Sequence, residues 1–147
     1  MLKFLPVLSM LVAVTATPAF AAEPAEAVRY FYDNLGMESD PENRGRFTGP
    51  ALDFFNAADA AWLRDETNCI EFGFPVDAQD FDEEEIARTL TLDEAVEGDT
   101  ATVSAKFDNF GKATTIEWTL QNAATGWLVS DIASSESAWR VSAMSCK

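Results

Sequence analysis

The chain contains no histidine, two cysteines, seven glycines and 10 basic residues against 25 acidic ones. Without an imidazole, neither a Ser–His–Asp triad nor a Cys–His pair can be assembled, because each needs a base that titrates near neutral pH. Zinc sites that use histidine are excluded too, and Cys69 and Cys146 cannot supply a four-thiolate one. Gly45 and Gly49 lack the lysine spacing of a phosphate-binding loop. A net charge of −15 repels nucleic acid and anionic membrane surfaces, so neither is expected as a partner. The long apolar run at the start, Phe4 to Val14, is short of the roughly 20 residues needed to span a bilayer core.

That run has a different use. Lys3 gives a positive start, Phe4 to Val14 an apolar centre, and Ala19-Phe20-Ala21 a small-x-small cleavage pattern. Residues 1–21 are therefore expected to be a secretory signal peptide and residues 22–147 one domain, exported to the periplasm or secreted. Neither cysteine lies near the cleavage point, so no lipid membrane anchor is expected. Removing Met1–Ala21 takes one lysine and no acidic residue, which moves the net charge from −15 to −16. Such a charge serves solubility, or it steers a basic protein partner or cationic ligand.

In an oxidising compartment the two cysteines suggest a Cys69–Cys146 disulfide closing a 77-residue separation, with two unrelated free thiols as the alternative. No cofactor or metal is expected.

Pro24 suits the first turn of a helix, and Val28, Phe31, Tyr32 and Leu35 then mark one apolar face ending at Gly36. Met37 to Gly49 reads as a loop. Pro50 opens a second helix with a stripe of Leu52, Phe55, Ala58 and Trp62, with Phe54 and Ala61 beside it, ending near Arg64 or Asp65. Cys69 to Phe81 is irregular. Asp80, Asp82, Glu83, Glu84 and Glu85 form an acidic run: a solvated turn leading into a strand, or a calcium site, although the alternating spacing and central glycine of an EF-hand are missing.

From Ile86 the period is read as two. Ile86, Leu90 and Leu92 share a face with Arg88 as the exception. Ala101, Val103, Ala105 and Phe107 follow, then Ile116, Trp118 and Leu120, then Trp127 to Ile132, joined by short turns that imply an antiparallel meander. A short segment from Ala138 to Val141 runs on to Cys146. The expected class is α+β: N-terminal helices packed on a curved antiparallel sheet of about four strands. Such a sheet wrapped round a helix can leave a pocket at its open end.

The order of elements resembles the nuclear transport factor 2-like superfamily of cone-shaped α+β domains. Several stretches resemble a bacterial exported family of unknown function with that fold. They are Ala27 to Tyr32, Phe74 to Asp80, Ala101 to Phe107 and Gly126 to Ile132. In that family an aspartate often precedes the proline; here Phe74 stands there. The resemblance implies a fold rather than an activity, since enzymes, binding modules and interaction domains share it. It also implies a homodimer through the open sheet face as one oligomeric state.

Three residues are candidates for a pocket: Tyr32 from the first helix, Trp118 and Asp131 from the sheet. Asp131 is the catalytic candidate. Read on one strand face with Trp127 and Val129, it could serve as a buried base. Ketosteroid isomerase, which shares the resembled fold, works in that way, with a carboxylate base and hydrogen-bond donors in an apolar pocket. Asp131 as a turn cap and Tyr32 as a core aromatic are the plainer readings. Dehydratase relatives that rely on histidine are excluded. Three functions follow: a non-enzymatic binding or interaction domain for an unknown small molecule or protein; an acidic inhibitor or immunity-type protein acting through Asp80 to Glu85; and a small acid–base lyase or isomerase.

Overall fold

A computed structural model describes residues 23–147; the expected signal peptide lies outside the described residues. Helix α1 (Pro24–Asp33) starts at Pro24, and its last turn ends just before the Leu35–Gly36 stop expected from the sequence. It buries Ala27, Val28, Phe31 and Tyr32, the spacing that one helical face requires. The stretch expected as a loop contains a short 3₁₀ helix, Pro41–Arg46, capped by the Asp40 carboxylate accepting from the Glu42 N–H.

Helix α2 (Gly49–Asp65) carries its proline in the first turn and ends at Glu66, which adopts the left-handed conformation. Its buried stripe is Ala51, Phe54, Phe55, Ala58 and Ala61. The helix is rotated from the expected face, so Trp62 is 55% exposed and Leu63 85%.

Helix α3 (Glu83–Thr89) replaces the first half of the strand expected from Ile86. Asp82 caps it, its side chain accepting from the Glu85 N–H at 3.0 Å. Three glutamates occupy its first turn and Arg88 its last, both favourable to the helix dipole. The acidic run is therefore a helix start rather than a turn into a strand. Among the described residues no group of three or more acidic or cysteine side chains is arranged to hold a metal ion.

Strands β1 (Thr91–Glu97), β2 (Thr100–Asn109), β3 (Lys112–Ala123), β4 (Gly126–Ser134) and β5 (Trp139–Arg140) form one antiparallel sheet in sequence order. The meander is as expected, with the two-residue β5 added at its edge. Val103, Ala105, Ile116, Trp118 and Leu120 are fully buried, and the helices cover that face. The opposite face carries Thr102, Ser104, Lys106, Thr115, Glu117 and Thr119, half-buried or exposed. Among the described residues no helix is long and apolar enough to cross a membrane.

The register of the sheet shifts between β3 and β4. Leu120 pairs with Val129 but Thr119 pairs with Asp131, so Ser130 is an extra residue in β4, a β-bulge. One inserted residue inverts the side-chain alternation beyond it. Ile132, opposite Trp118, therefore joins the core, and Asp131, opposite Thr119, faces away from it.

Cys69 and Cys146 are joined by a disulfide with 5.7 Å between their Cα atoms. It ties the segment after α2 to the C-terminal tail.

Candidate functional site

The structure brings Tyr32 and Trp118 together in the core, not around a cavity. Trp118 is fully buried and stacks on Phe31 with ring centres 5.3 Å apart. Phe31 meets Phe47, Phe47 meets Phe55, and Phe55 meets Phe74 at 4.7–5.8 Å, so aromatic rings fill the hollow of the sheet. The Tyr32 hydroxyl donates to the Pro75 carbonyl at 2.9 Å and accepts from the Trp118 indole N–H at 3.3 Å. Burial pushes the Tyr32 pKa far above its ordinary value; the hydrogen bond from Trp118 pulls it down and nearby Glu38 adds to the rise.

Asp131 is not with them. Because of the bulge it lies on the other sheet face from Trp118 and Val129, which corrects the shared face read from simple alternation. There its carboxylate accepts from the Ile132 and Ser142 N–H groups at 3.0 and 2.9 Å. It also accepts from the Ser142 hydroxyl at 2.7 Å and Arg140 Nη1 at 2.6 Å. This arrangement holds the chain's tail against β4.

The acidic run divides by role. Asp82 caps α3, and Glu85 accepts from the Gly111 N–H at 3.2 Å with both oxygens. Asp80, Glu83 and Glu84 present exposed side chains.

Two adjoining clefts lie elsewhere, around the segment that follows α2. The first, about 280 Å³, is lined by Leu35, Glu38, Phe72, Gly73, Val76 and Phe81 among others. The second, about 620 Å³, is lined by Pro41, Ala58, Asp59, Trp62, Leu63 and Cys69 among others. Ser39 and Ile70 line both. Every charged residue in the two linings is acidic: Glu38, Glu71 and Asp59.

Glu38 is 2% exposed, and its Oε2 is buried without a hydrogen-bond partner. Burial raises its pKa above the ordinary carboxyl value; backbone groups of Glu38, Gly36 and Phe74 and the Arg44 guanidinium partly offset that. Arg44 is itself fully engaged. Its Nε and Nη2 grip Asp59 at 2.7 and 2.8 Å, and its remaining N–H groups donate to the carbonyls of Glu38, Ser39 and Asp40. The same guanidinium lies 4.8 Å from the Phe55 ring centre.

The sequence carried little sign of this site. Glu38 sits in a polar stretch, and its burial comes from the Gly73–Ala78 loop folded over it, where Gly73 N–H donates to the Ala78 carbonyl at 2.9 Å. A Cβ on Gly73 would meet Val76 at 3.1 Å and Glu38 Oε1 at 3.7 Å, so the loop approaches the carboxyl closely. A second unforeseen carboxylate is Asp77. It accepts from the hydroxyls of Ser134 and Ser137 and from the Trp139 indole N–H, and it fastens the same loop to the β4–β5 turn.

No family model matches this chain, and no curated relative matches it. Solved structures do. The chain is similar to one in the crystal structure of the type VI native effector-immunity complex Tae3-Tai3 from Ralstonia pickettii. The two share 14% identity and a TM-score of 0.55, over 78% of this chain and 97% of that one. The selenomethionine form of the same complex gives 16% identity and a TM-score of 0.55, over 77% and 97%. At these identities the likeness is one of fold. The class it defines is an α+β domain with helices on one face of an open antiparallel sheet.

Proposed function

We propose that this chain is an exported, non-enzymatic protein-interaction domain that binds a basic partner, of the inhibitor or immunity type. The observation that carries the reading is the filled hollow of the sheet. Where a cone of this kind would hold a substrate, Trp118 is stacked on Phe31 and hydrogen-bonded to Tyr32. Binding is thereby left to the outer surface, on a chain whose net charge is −15. The catalytic candidate Asp131 is spent on the tail, with four donors around it. Similar folds occur in an effector-immunity complex, which supports a protein partner without naming one for this chain. The wider nuclear transport factor 2-like assignment and a periplasmic location belong to the same proposal.

The test is association with the products of neighbouring genes, each purified and measured by surface plasmon resonance from low to high salt. A basic partner should bind with an association rate that falls steeply as salt rises. Rates that ignore salt, or no binding by any basic product, would overturn the reading.

A further inference from the structure

Among the described residues, three of the five exposed large apolar side chains, Trp62, Leu63 and Phe81, line the two adjoining clefts. Exposed tryptophan beside a groove is the residue type that anchors protein interfaces. The clefts share Ser39 and Ile70 in their linings, and they differ in character. The larger is walled by Pro41, Ala58, Trp62 and Leu63 and is apolar. The smaller, about 280 Å³, falls just under the usual range for drug-sized ligands, about 300–1,000 Å³, and suits one long side chain.

The smaller cleft is lined by a carboxyl group whose Oε2 has neither water contact nor partner. A buried acceptor left unpaired is costly, and a donor that reaches it recovers that cost. The local charges specify which donor. Glu38 and Glu71 are the charged residues of that lining, and Asp59 is the one in its neighbour. Arg44, the nearby cation, is already committed to Asp59 and to three carbonyls. It fixes the wall and leaves Oε2 unpaired.

We infer that the two clefts form a single docking surface for a basic segment of a protein partner, with an arginine or lysine side chain seated at Glu38 and an adjacent apolar side chain against Trp62. This rests on the reading of the chain as an acidic protein-binding domain. It moves the decisive contact away from Asp80–Glu85, whose charges then steer approach rather than hold the partner. The Cys69–Cys146 bond has a place in the scheme. It anchors Cys69, which lines the larger cleft, next to Ile70, which lines both.

The probe is the peptide acetyl-Ala-Arg-Leu-Arg-Ala-amide, titrated into the oxidised ¹⁵N-labelled protein and followed by NMR. Its control replaces both arginines by citrulline, which keeps the shape and removes the charge. The expected result is shifts at the amides of Gly36, Glu38 and Gly73 and at the Trp62 indole. Affinity should fall about tenfold with citrulline or with Glu38→Gln. Trp62→Ala, at an exposed position, should weaken the peptide without disturbing the fold, which keeps the test open should Glu38→Gln fold poorly. Shifts centred on α3 and indifferent to Glu38→Gln would overturn the docking surface while leaving a basic-partner domain standing. No shifts from any arginine peptide would overturn the docking surface, and the gene-product measurement would then judge the wider reading separately.

Discussion

The indole N–H of Trp118 and the hydroxyl of Tyr32 form a hydrogen bond 86 residues apart in sequence, at 3.3 Å, in a core with no water contact for the indole. The hydroxyl passes the chain on to the Pro75 carbonyl, so one tyrosine satisfies two groups from different parts of the fold. Tyr32→Phe keeps the ring contacts with Phe107 and Trp118 but leaves both groups unpaired. The expected cost is about 1–3 kcal/mol of folding stability. Urea unfolding should show a lower midpoint with an unchanged slope, and binding of a basic partner should be unaffected in the folded protein.

Asp131 makes a second such knot. Its ion pair with Arg140 involves a side chain 46% exposed and so is worth little alone. The two bonds from Ser142, to a carboxylate 11% exposed, carry more. Asp131→Asn puts an amide donor against the Arg140 or Ser142 donors. A loss of about 1–3 kcal/mol is expected, with faster hydrogen exchange at the Ser142 amide. Exchange at Ser142 unchanged from wild type would refute the knot.

The acidic run separates capping from steering. Asp82→Ala removes the acceptor of the Glu85 N–H and is expected to cost about 1 kcal/mol. Glu83→Gln with Glu84→Gln removes two exposed charges near the helix start, where each contributes about 0.3–1 kcal/mol at low salt. Association with a basic partner should be slower than in the parent at low salt, and the difference should close at high salt. Thermal unfolding and stopped-flow binding separate the two effects.

Much of the sheet could be read from alternation. Val103, Ala105, Ile116, Trp118 and Leu120 fall at every second position and are all fully buried. The failures come where a short stretch fits two periods or where a distant element decides. Ile86, Leu90 and Leu92 fit a strand only if Arg88 is excused; Asp82 three residues before Glu85 was the capping signal for a helix. On α2, Leu52, Phe55, Ala58 and Trp62 and the true stripe of Ala51, Phe54, Phe55, Ala58 and Ala61 differ by a modest rotation. Three of the buried positions are alanines, whose small apolar area gives the sequence pattern little weight. The bulge at Ser130 has no local mark, so the side of the sheet that Asp131 faces could not be read. Glu38 is buried by a loop some 35 residues on, which a pass along the chain does not reveal.

The disulfide closes a long separation, 77 residues, and should be a major part of the stability. Chain-entropy arithmetic gives an upper figure of about 4.5 kcal/mol for a loop of this length. Cys69→Ala with Cys146→Ala is expected to cost about 2–5 kcal/mol in urea unfolding. Hydrogen exchange should quicken at Ile70 and Met144 more than in β2 and β3, whose pairing does not depend on the bond.

Glu38 makes stability depend on pH in a definite direction. Burial raises its pKa in the folded state above the ordinary 4.5, so between those two values the folded protein holds a proton that the unfolded chain has released. When the native state binds more protons, stability falls as pH rises. The contribution is therefore complete below about pH 4.5 and is lost as pH climbs through the raised value. Arg44 and Tyr32 are the other ionisable groups that act on this carboxyl, and burial keeps the Tyr32 hydroxyl neutral. Glu38→Gln removes the effect while keeping the shape. Its stability should match the parent near pH 4 and exceed it near neutrality, the difference opening across the window in which Glu38 ionises. Groups that the substitution leaves unchanged cancel in that difference. Stability curves that stay parallel from pH 4 to 8 would mean that Glu38 is not the strained acid the geometry describes.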